Sequence, residues 1–369
     1  MKIKNLILTL ILAIFYPFSL LQKVKKNKIT FISLESSSLT RDFKIINNAL
    51  IKADKYDLTY HLFDYTPGLK NQVIYIIKCI QQLFAINQSH LVLLDFNNFV
   101  VSKFKRKHGV TVLQLWHATG AIKKFGNSVP RDYKIKNYDY TIVNSEFFVD
   151  DFSKAFNIKK ENVKVTGIPE TDKLFNHQRI NSNSNYLKEK YPQLINKIVV
   201  TYAPTFRGRF GTGFQELDID LDFIQQALGD DYIIIYKPHP LIVHSKYEQN
   251  KNIIYMPHES IKKVFAVTSM LVSDYSAIVY DYMVSEKRII AFVPDLDDYA
   301  KTPGILFDYE KEFPGVITKT NQELVDAIRF VNPDRDKQIK LYDRVFKYKD
   351  GKSTDRVVKL IQDIMVGEL

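Results

Sequence analysis

Short β-rich runs alternate with amphipathic helical runs along most of this chain, and that alternation restricts the possible folds more than any other feature of the sequence. Strands joined through helices pair in parallel, because each crossover returns the chain to the same end of the sheet. The pattern therefore predicts an α/β protein. Its strands are expected at 29–33, 58–63, 91–95, 112–116, 140–143 and 163–166, and then at 198–202, 232–237, 253–256, 270–273 and 288–293.

The length of 369 residues suits two domains rather than one. The polar segment 176–197 lacks apolar periodicity and separates the two series of strands, so it is the predicted linker. We therefore expect an N-terminal α/β lobe over 28–175 and a C-terminal α/β lobe over 198–369. The runs 321–331 and 353–365 have the pattern of helices, and the second could pack back across the first lobe.

Residues 6–21 carry no charge, and six lysines with no acidic residue surround them before Glu35. As a helix this stretch would extend about 24 Å, whereas a helix that spans a bilayer needs roughly 20 residues, or about 30 Å. Pro17 also falls inside it. We predict that 1–27 is a membrane-associating segment in the cytoplasmic leaflet, with its lysines on anionic lipid headgroups. A true membrane span and an ordinary buried helix are the alternatives.

Charge and cysteine content limit the partners. The net charge of +11 favours an anionic surface such as membrane lipid or a phosphorylated substrate. The basic stretch 103–108 lacks the interleaved aromatic residues of single-strand binders, so no nucleic acid partner is expected. Cys79 is the only cysteine, which excludes an intramolecular disulfide, leaves no cysteine zinc site and favours a reducing compartment.

Four polar clusters follow predicted strands directly. Ligands of open α/β sheets bind outside the carboxyl ends of the strands, so these clusters are the candidate functional sites. The clusters are Trp116-His117-Ala118-Thr119-Gly120, Tyr202-Ala203-Pro204-Thr205-Phe206-Arg207-Gly208, Lys237-Pro238-His239-Pro240 and Ser273-Asp274-Tyr275-Ser276.

Two histidines have chemistry suited to acid–base work. His117 could accept a proton from a sugar hydroxyl, because imidazole titrates near neutral pH; a hydrogen-bonded histidine that closes a strand is the alternative. His239 is held between two prolines, and with Lys237 it could neutralise a diphosphate or protonate a departing phosphate. A turn bounded by prolines without a function is the alternative there. His258 carries a weaker signal of the same kind.

The other two clusters suit anion binding. Ser273, Asp274 and Ser276 open a predicted helix, where they could bind an anion or merely cap the helix. Arg207 and Arg209 follow Thr205 in a glycine-containing loop and could bind phosphate or lie in solvent. The phosphate loop of P-loop enzymes, the dinucleotide fingerprint and the H-E-x-x-H motif are all absent from the sequence, so those enzyme classes lose support.

Taken in order, WHATGAIKKFG, YAPTFRG, KPHP and VSDYSAIVYDY resemble the motifs of the CDP-glycerol glycerophosphotransferases of wall teichoic acid synthesis, over residues 90–350. The resemblance implies a GT-B fold, in which two Rossmann-like lobes face a central cleft, with the acceptor on the N-terminal lobe and the nucleotide on the C-terminal lobe. It also implies peripheral attachment to the cytoplasmic face of a Gram-positive cell membrane and a role in cell wall biogenesis.

The resemblance also implies roles for residues. His117 would be the general base for the acceptor hydroxyl, and His239 would bind the diphosphate and assist the departure of CMP. No tightly bound cofactor is expected, since no acidic metal cluster is evident, and Mg²⁺ could arrive with the donor diphosphate. The donor and its phosphates would be bound by Thr205, Arg207, Lys237, His258, Ser273, Asp274 and Ser276.

Two features favour one branch of this family. Glu170 stands where many polymerising members carry arginine, and the chain has little length beyond the two lobes. The expected activity is therefore that of a primase, which transfers one glycerol phosphate from CDP-glycerol to an undecaprenyl-diphosphate-linked ManNAc-GlcNAc disaccharide. Other teichoic acid enzymes are possible partners. Three rivals stay open: a glycerol- or ribitol-phosphate polymerase or transferase of the same family, a GT-B glycosyltransferase that uses a sugar nucleotide, and a basic membrane-bound scaffold without catalysis.

Overall fold

The computed structural model describes residues 2–34, 36–64, 68–209, 213–242, 249–332 and 334–369. They form two compact units. Unit 1 comprises residues 1–119, 125–172 and 346–369, and unit 2 comprises residues 120–124 and 173–345. Each unit is built on one six-stranded parallel sheet, as the alternation of strands and helices predicts.

Unit 1 contains the first six strands, in the order β2-β1-β3-β4-β5-β6. Strands inside this sheet, such as Ser89–Leu94, are nearly continuous runs of buried residues, as is usual where helices cover both faces of a parallel sheet, whereas the edge strand Asp57–Leu62 is mostly half-buried. The strands are β1 (Lys25–Ser33), β2 (Asp57–Leu62), β3 (Ser89–Leu94), β4 (Thr111–Gln114), β5 (Tyr140–Val143) and β6 (Val163–Val165), and the helices are α1 (Lys2–Leu20), α2 (Arg41–Ala53), α3 (Leu69–Gln88), α4 (Phe99–Lys103) and α5 (Val149–Phe156).

Unit 2 repeats this plan with the strand order β11-β10-β7-β12-β13-β14 and adds a small antiparallel pair, β8 and β9. Its strands are β7 (Ile198–Tyr202), β8 (Arg207–Arg209), β9 (Gly213–Gln215), β10 (Tyr232–Tyr236), β11 (Ile253–Tyr255), β12 (Met270–Ser273), β13 (Arg288–Phe292) and β14 (Val316–Thr318), and its helices are α6 (His177–Lys190), α7 (Leu221–Leu228), α8 (Ile261–Val264), α9 (Ile278–Met283), α10 (Leu296–Tyr299), α11 (Tyr309–Glu312), α12 (Asn321–Phe330) and α13 (Arg335–Val345).

The units differ from the predicted division of the chain. Residues 120–124 lie inside the predicted N-terminal lobe but belong to unit 2, and α1, predicted as part of a separate segment, belongs to unit 1. Residues 176–197, predicted as a linker, begin with α6, whose first turn is capped by the Asn176 side chain, and they belong to unit 2. The last helix, α14 (Ser353–Val366), lies in unit 1 rather than in the C-terminal lobe, because Val357 and Ile361 are buried in the core of unit 1. Asp172 fixes the start of α14 by accepting hydrogen bonds from the backbone of Ser353 and Thr354.

Helix α1 packs one stripe of its surface onto unit 1. Leu8, Leu12 and Ser19 on that stripe are buried, and the Ser19 hydroxyl accepts a hydrogen bond from Asn87 in α3. Large apolar side chains on the rest of α1 are exposed: Ile3, Leu6, Ile7, Leu10, Ile14 and Phe18. Within the described residues, α1 is the one helix that is long and apolar enough to cross a membrane.

Candidate functional site

His117 lies immediately beyond β4 in unit 1, at the predicted place. The backbone of Trp116 turns through the left-handed region there (φ 61°), a conformation that costs energy for a large side chain, and its N–H donates to the Gln114 side chain at 2.8 Å. The imidazole stacks on Phe96 with 4.2 Å between ring centroids, and Trp116 lies 3.9 Å away. These contacts fix the plane of the imidazole.

One hydrogen bond also fixes the tautomer of His117. Its Nδ1 lies 3.1 Å from the backbone carbonyl oxygen of Asp95. A carbonyl oxygen only accepts, so Nδ1 must carry the proton, and the lone pair of the neutral ring is then on Nε2. Nε2 is therefore the atom of His117 that can accept a proton.

In unit 2 the candidate residues follow three adjacent strands. β10, β7 and β12 are neighbours in the sheet and run parallel, so the segments after them meet at one edge. Asp274, which follows β12, links two of these segments through its side chain. Its side chain is fully buried and accepts from the Thr205 backbone N–H and hydroxyl, each at 2.9 Å, and from Arg207 Nη1 at 2.8 Å.

Arg207 is held by two carboxylates. Besides Asp274, it donates to Asp295 from Nε at 2.6 Å and from Nη2 at 3.1 Å. Burial alone would lower the pKa of Arg207, but the two carboxylates raise it above its ordinary value. Its guanidinium also lies about 5 Å from the rings of Tyr275 and Tyr299. Arg207 is thus held in one orientation by Asp274 and Asp295.

The two serines of the third cluster have different surroundings. Ser273 is fully buried, and its hydroxyl donates to the Ala203 carbonyl oxygen at 2.7 Å, which ties β12 to β7. Ser276 is half-buried, and its hydroxyl lies 3.4 Å from the Ile278 N–H at the start of the short helix α9. Ser276 therefore has the more accessible hydroxyl.

Lys237 and His239 face different partners. The Lys237 ammonium donates to the Pro257 carbonyl oxygen at 2.8 Å, and burial lowers its pKa to about 8 although Glu259 raises it. The Nδ1 of His239 accepts the Leu241 N–H at 3.2 Å. In the neutral ring the proton is then on Nε2, so His239 presents a donor where His117 presents an acceptor.

Two further predicted residues contribute less to this edge. His258 is exposed in the turn that follows Pro257. The side chain of Arg209 lies outside the described residues. Within the part of the chain that the structure describes, no group of three or more His, Cys, Asp or Glu side chains is arranged to hold a metal ion.

Lys123 joins this edge of unit 2, and the sequence analysis did not select it. Its segment pairs with the 304–306 loop, where the Leu306 N–H donates to the Ile122 carbonyl oxygen at 2.8 Å. The ammonium lies 5.3 Å from the centroid of the Phe206 ring, and that ring meets His239 edge-on at 4.8 Å. Burial lowers the pKa of Lys123, nearby Asp274 raises it, and Arg207 lowers it. An anionic ligand would offset the cost of burying this charge.

Solved structures share this fold. A structure of the wall teichoic acid polymerase TagF is 22% identical with a TM-score of 0.72, and the match covers 100% of this chain and 96% of that one. A UDP-N-acetylglucosamine 2-epimerase matches more distantly, at 11% identity and a TM-score of 0.55 over 95% of this chain and 98% of that one. The protein therefore has the GT-B-like fold of two parallel α/β units.

The chain belongs to the CDP-glycerol:poly(glycerophosphate) glycerophosphotransferase family, whose model matches residues 14–363. A teichoic acid ribitol-phosphate primase of Bacillus spizizenii is 28% identical over 94% of both chains. A teichoic acid glycerol-phosphate primase of Bacillus subtilis is 26% identical over 79% of this chain and 77% of its own length. The predicted family and fold are confirmed, and the chain is a transferase of teichoic acid synthesis.

Proposed function

We propose that this enzyme transfers one polyol phosphate from a CDP-polyol to a lipid-linked disaccharide. An acceptor hydroxyl oxygen attacks the phosphorus bonded to the polyol, a new P–O bond forms, and the bond from that phosphorus to CMP breaks. The observation that carries this proposal is the pair of Nδ1 contacts, to a carbonyl oxygen in His117 and to an N–H in His239, which assign opposite tautomers to the two rings. Nε2 of His117 takes the proton of the hydroxyl, and the Nε2–H of His239 donates to the phosphate of the departing CMP.

The other residues hold the phosphates. Lys123 and the Ser276 hydroxyl supply a cation and a donor at the carboxyl edge of the unit 2 sheet. Asp274 and Arg207 position Thr205 through the hydrogen bonds described above. Phosphoryl transfer depends mainly on positioning and charge neutralisation, which this arrangement can provide. We assign no tightly bound cofactor, and Mg²⁺ would enter only with the donor diphosphate.

Glycerol phosphate is the first donor group that we propose, as the motifs and the name of the matched family favour it. Ribitol phosphate is the second candidate, because the match to a ribitol-phosphate primase covers 94% of both chains. The same match and Glu170 support a single addition rather than polymerisation. The acceptor that we propose is an undecaprenyl-diphosphate-linked ManNAc-GlcNAc disaccharide.

We also propose that the enzyme binds the cytoplasmic face of the membrane peripherally through α1. The buried stripe of Leu8, Leu12 and Ser19 ties the helix to unit 1, which favours a helix lying on the membrane over one that spans it. The exposed apolar side chains would then enter the lipid, and the exposed Lys23, Lys25 and Lys26 would meet anionic headgroups.

The histidine roles can be tested by CMP release from CDP-glycerol and from CDP-ribitol with lipid-linked disaccharide. His117→Gln and His239→Gln should each lower kcat by about 100-fold or more, the usual contribution of a general acid or base. His90→Gln is the matched control, because His90 also places Nδ1 against a backbone carbonyl oxygen, that of Lys26, but lies at the amino end of β3. Normal turnover in a folded His117→Gln protein would refute the base assignment.

A further inference from the structure

Two amide atoms at the carboxyl edge of the unit 1 sheet are buried without a hydrogen-bond partner among the described residues. They are Oδ1 of Asn97 and Nδ2 of Asn144. The Asn144 side chain is nearly inaccessible, since the residue is 2% exposed.

The sheet register places these residues on the two sides of His117. Leu94 in β3 pairs with Gln114 in β4, and Gln114 pairs with Thr141 in β5. Asn97 lies three residues after Leu94, His117 three after Gln114, and Asn144 three after Thr141. The three residues therefore lie at equivalent positions beyond the carboxyl ends of three adjacent strands. Neighbouring strands lie about 4.8 Å apart, which leaves roughly 9 to 10 Å between the outer two positions.

Other buried amides of unit 1 differ: Gln82 in α3 also has an unpartnered Nε2, although its Oε1 accepts from Asn98 at 3.0 Å, whereas Asn87 is satisfied at both ends. Asn87, which is 1% exposed, donates to Ser19 and to the Leu83 carbonyl oxygen and accepts from the Lys107 N–H. An unsatisfied buried amide costs about 1–3 kcal/mol, and such costs concentrate where a ligand supplies the missing partner. Asn97 Oδ1 thus lacks a donor and Asn144 Nδ2 lacks an acceptor, and a hydroxyl group can provide both.

We infer that Asn97 and Asn144 flank His117 as a hydroxyl-recognising subsite for the sugar acceptor. The Asn144 amide N–H donates to a sugar oxygen, and Asn97 Oδ1 accepts from a sugar hydroxyl. Between them a further hydroxyl of the same sugar meets Nε2 of His117. This inference rests on the proposed function, because it assigns residues to the acceptor of that reaction.

Direct binding tests the subsite without turnover. Trp116 is the single tryptophan of the chain and lies 3.9 Å from His117, so its fluorescence reports on this edge. The probe is a ManNAc-GlcNAc diphosphate that carries a short alkyl chain, titrated into the full-length protein. Asn144→Leu and Asn97→Leu should weaken its binding about tenfold, and CDP-polyol binding measured by thermal protection should stay unchanged.

Stability separates this role from a structural one. Because Asn144→Leu removes an unsatisfied polar group, its Tm should stay level or rise, whereas Asn87→Leu should lose several degrees and keep its affinity for the probe. Asn144→Ala, which cannot overpack the site, should show the same loss of affinity.

Two results would overturn the inference: absence of probe binding to the wild type, or Asn144 variants that bind the probe with normal affinity. A wild type that binds the probe but releases no CMP from any CDP-polyol would instead refute the proposed function and leave the subsite in place.

Discussion

Replacing Asp274 with asparagine should destabilise unit 2 more than any other single change at its sheet edge. The carboxylate is fully buried and accepts three hydrogen bonds, one of them from the charged Arg207. In Asp274→Asn the ion pair is lost, and an amide N–H replaces an acceptor oxygen. Breaking a buried pair costs about 3–5 kcal/mol, and since Arg207 keeps Asp295, we expect a loss of about 3 kcal/mol.

That loss can be read from thermal unfolding followed by circular dichroism or calorimetry. For a unit of roughly 180 residues, each kcal/mol shifts Tm by about 2–4 °C, so Asp274→Asn should unfold about 6–12 °C below the wild type. Asp295→Asn is the matched control. The Asp295 side chain is 29% exposed, and solvent screens its pair with Arg207, so its loss should be near 1 kcal/mol. A Tm within 2 °C of the wild type for Asp274→Asn would refute the reasoning.

Three further predictions concern Lys123, Lys237 and α1. Lys123→Gln should raise the KM for the donor about tenfold, because one charged contact to phosphate is lost. The control is Lys124→Gln, at the exposed neighbouring position, which should leave this KM unchanged. Equal effects of the two variants in steady-state kinetics would contradict the role of Lys123 as a phosphate ligand. Below pH 8 the buried Lys237 is charged in both the folded and the unfolded chain, at a cost to the folded state of about 3 kcal/mol for a pKa lowered from 10.5 to about 8. Lys237→Met should therefore be more stable than the wild type in urea at pH 7. Because the folded wild type loses this proton at lower pH than the unfolded chain does, the difference in unfolding free energy between the two proteins should narrow from pH 8 to pH 10.5. A difference that widens over this range would contradict the reasoning. Leu10→Glu with Ile14→Glu should abolish flotation with phosphatidylglycerol vesicles at unchanged Tm, whereas Leu12→Glu, at a fully buried position, should unfold unit 1; retained flotation of the double variant would refute the membrane role of α1.

The sheets could be predicted from sequence because most of their strands are runs of buried residues bounded by polar turns. Each predicted strand is present. β8, β9 and β14 were not predicted; in β14 Thr318 is the single buried residue, so burial does not mark this strand as it marks the inner ones. α6 looked like a linker because Leu187 is its single buried residue among those the structure describes. Helix α14 showed its apolar stripe in the sequence, and its packing back onto the first lobe was an open possibility; the contact of its first residue with Asp172, 181 residues away, could not be predicted.

The candidate clusters were predictable in position but not in contacts. A parallel sheet places its strand ends at one edge, so the four clusters could be located from sequence. Arg207 has the character of a phosphate ligand in sequence, and only the structure shows that Asp274 and Asp295, 67 and 88 residues away, hold it. Sequence also gave no means of separating Lys123 from Lys124. The tautomer of His117 depends on a backbone carbonyl, that of Asp95, which no side-chain motif reports.

The most direct test of the account is mass spectrometry of the lipid-linked disaccharide after incubation with the purified protein and CDP-glycerol or CDP-ribitol. The account predicts one added polyol phosphate with one of the two donors, and no addition by the His117→Ala variant. A ladder of additions would contradict the single transfer, and an unchanged acceptor with both donors would contradict the proposed reaction itself.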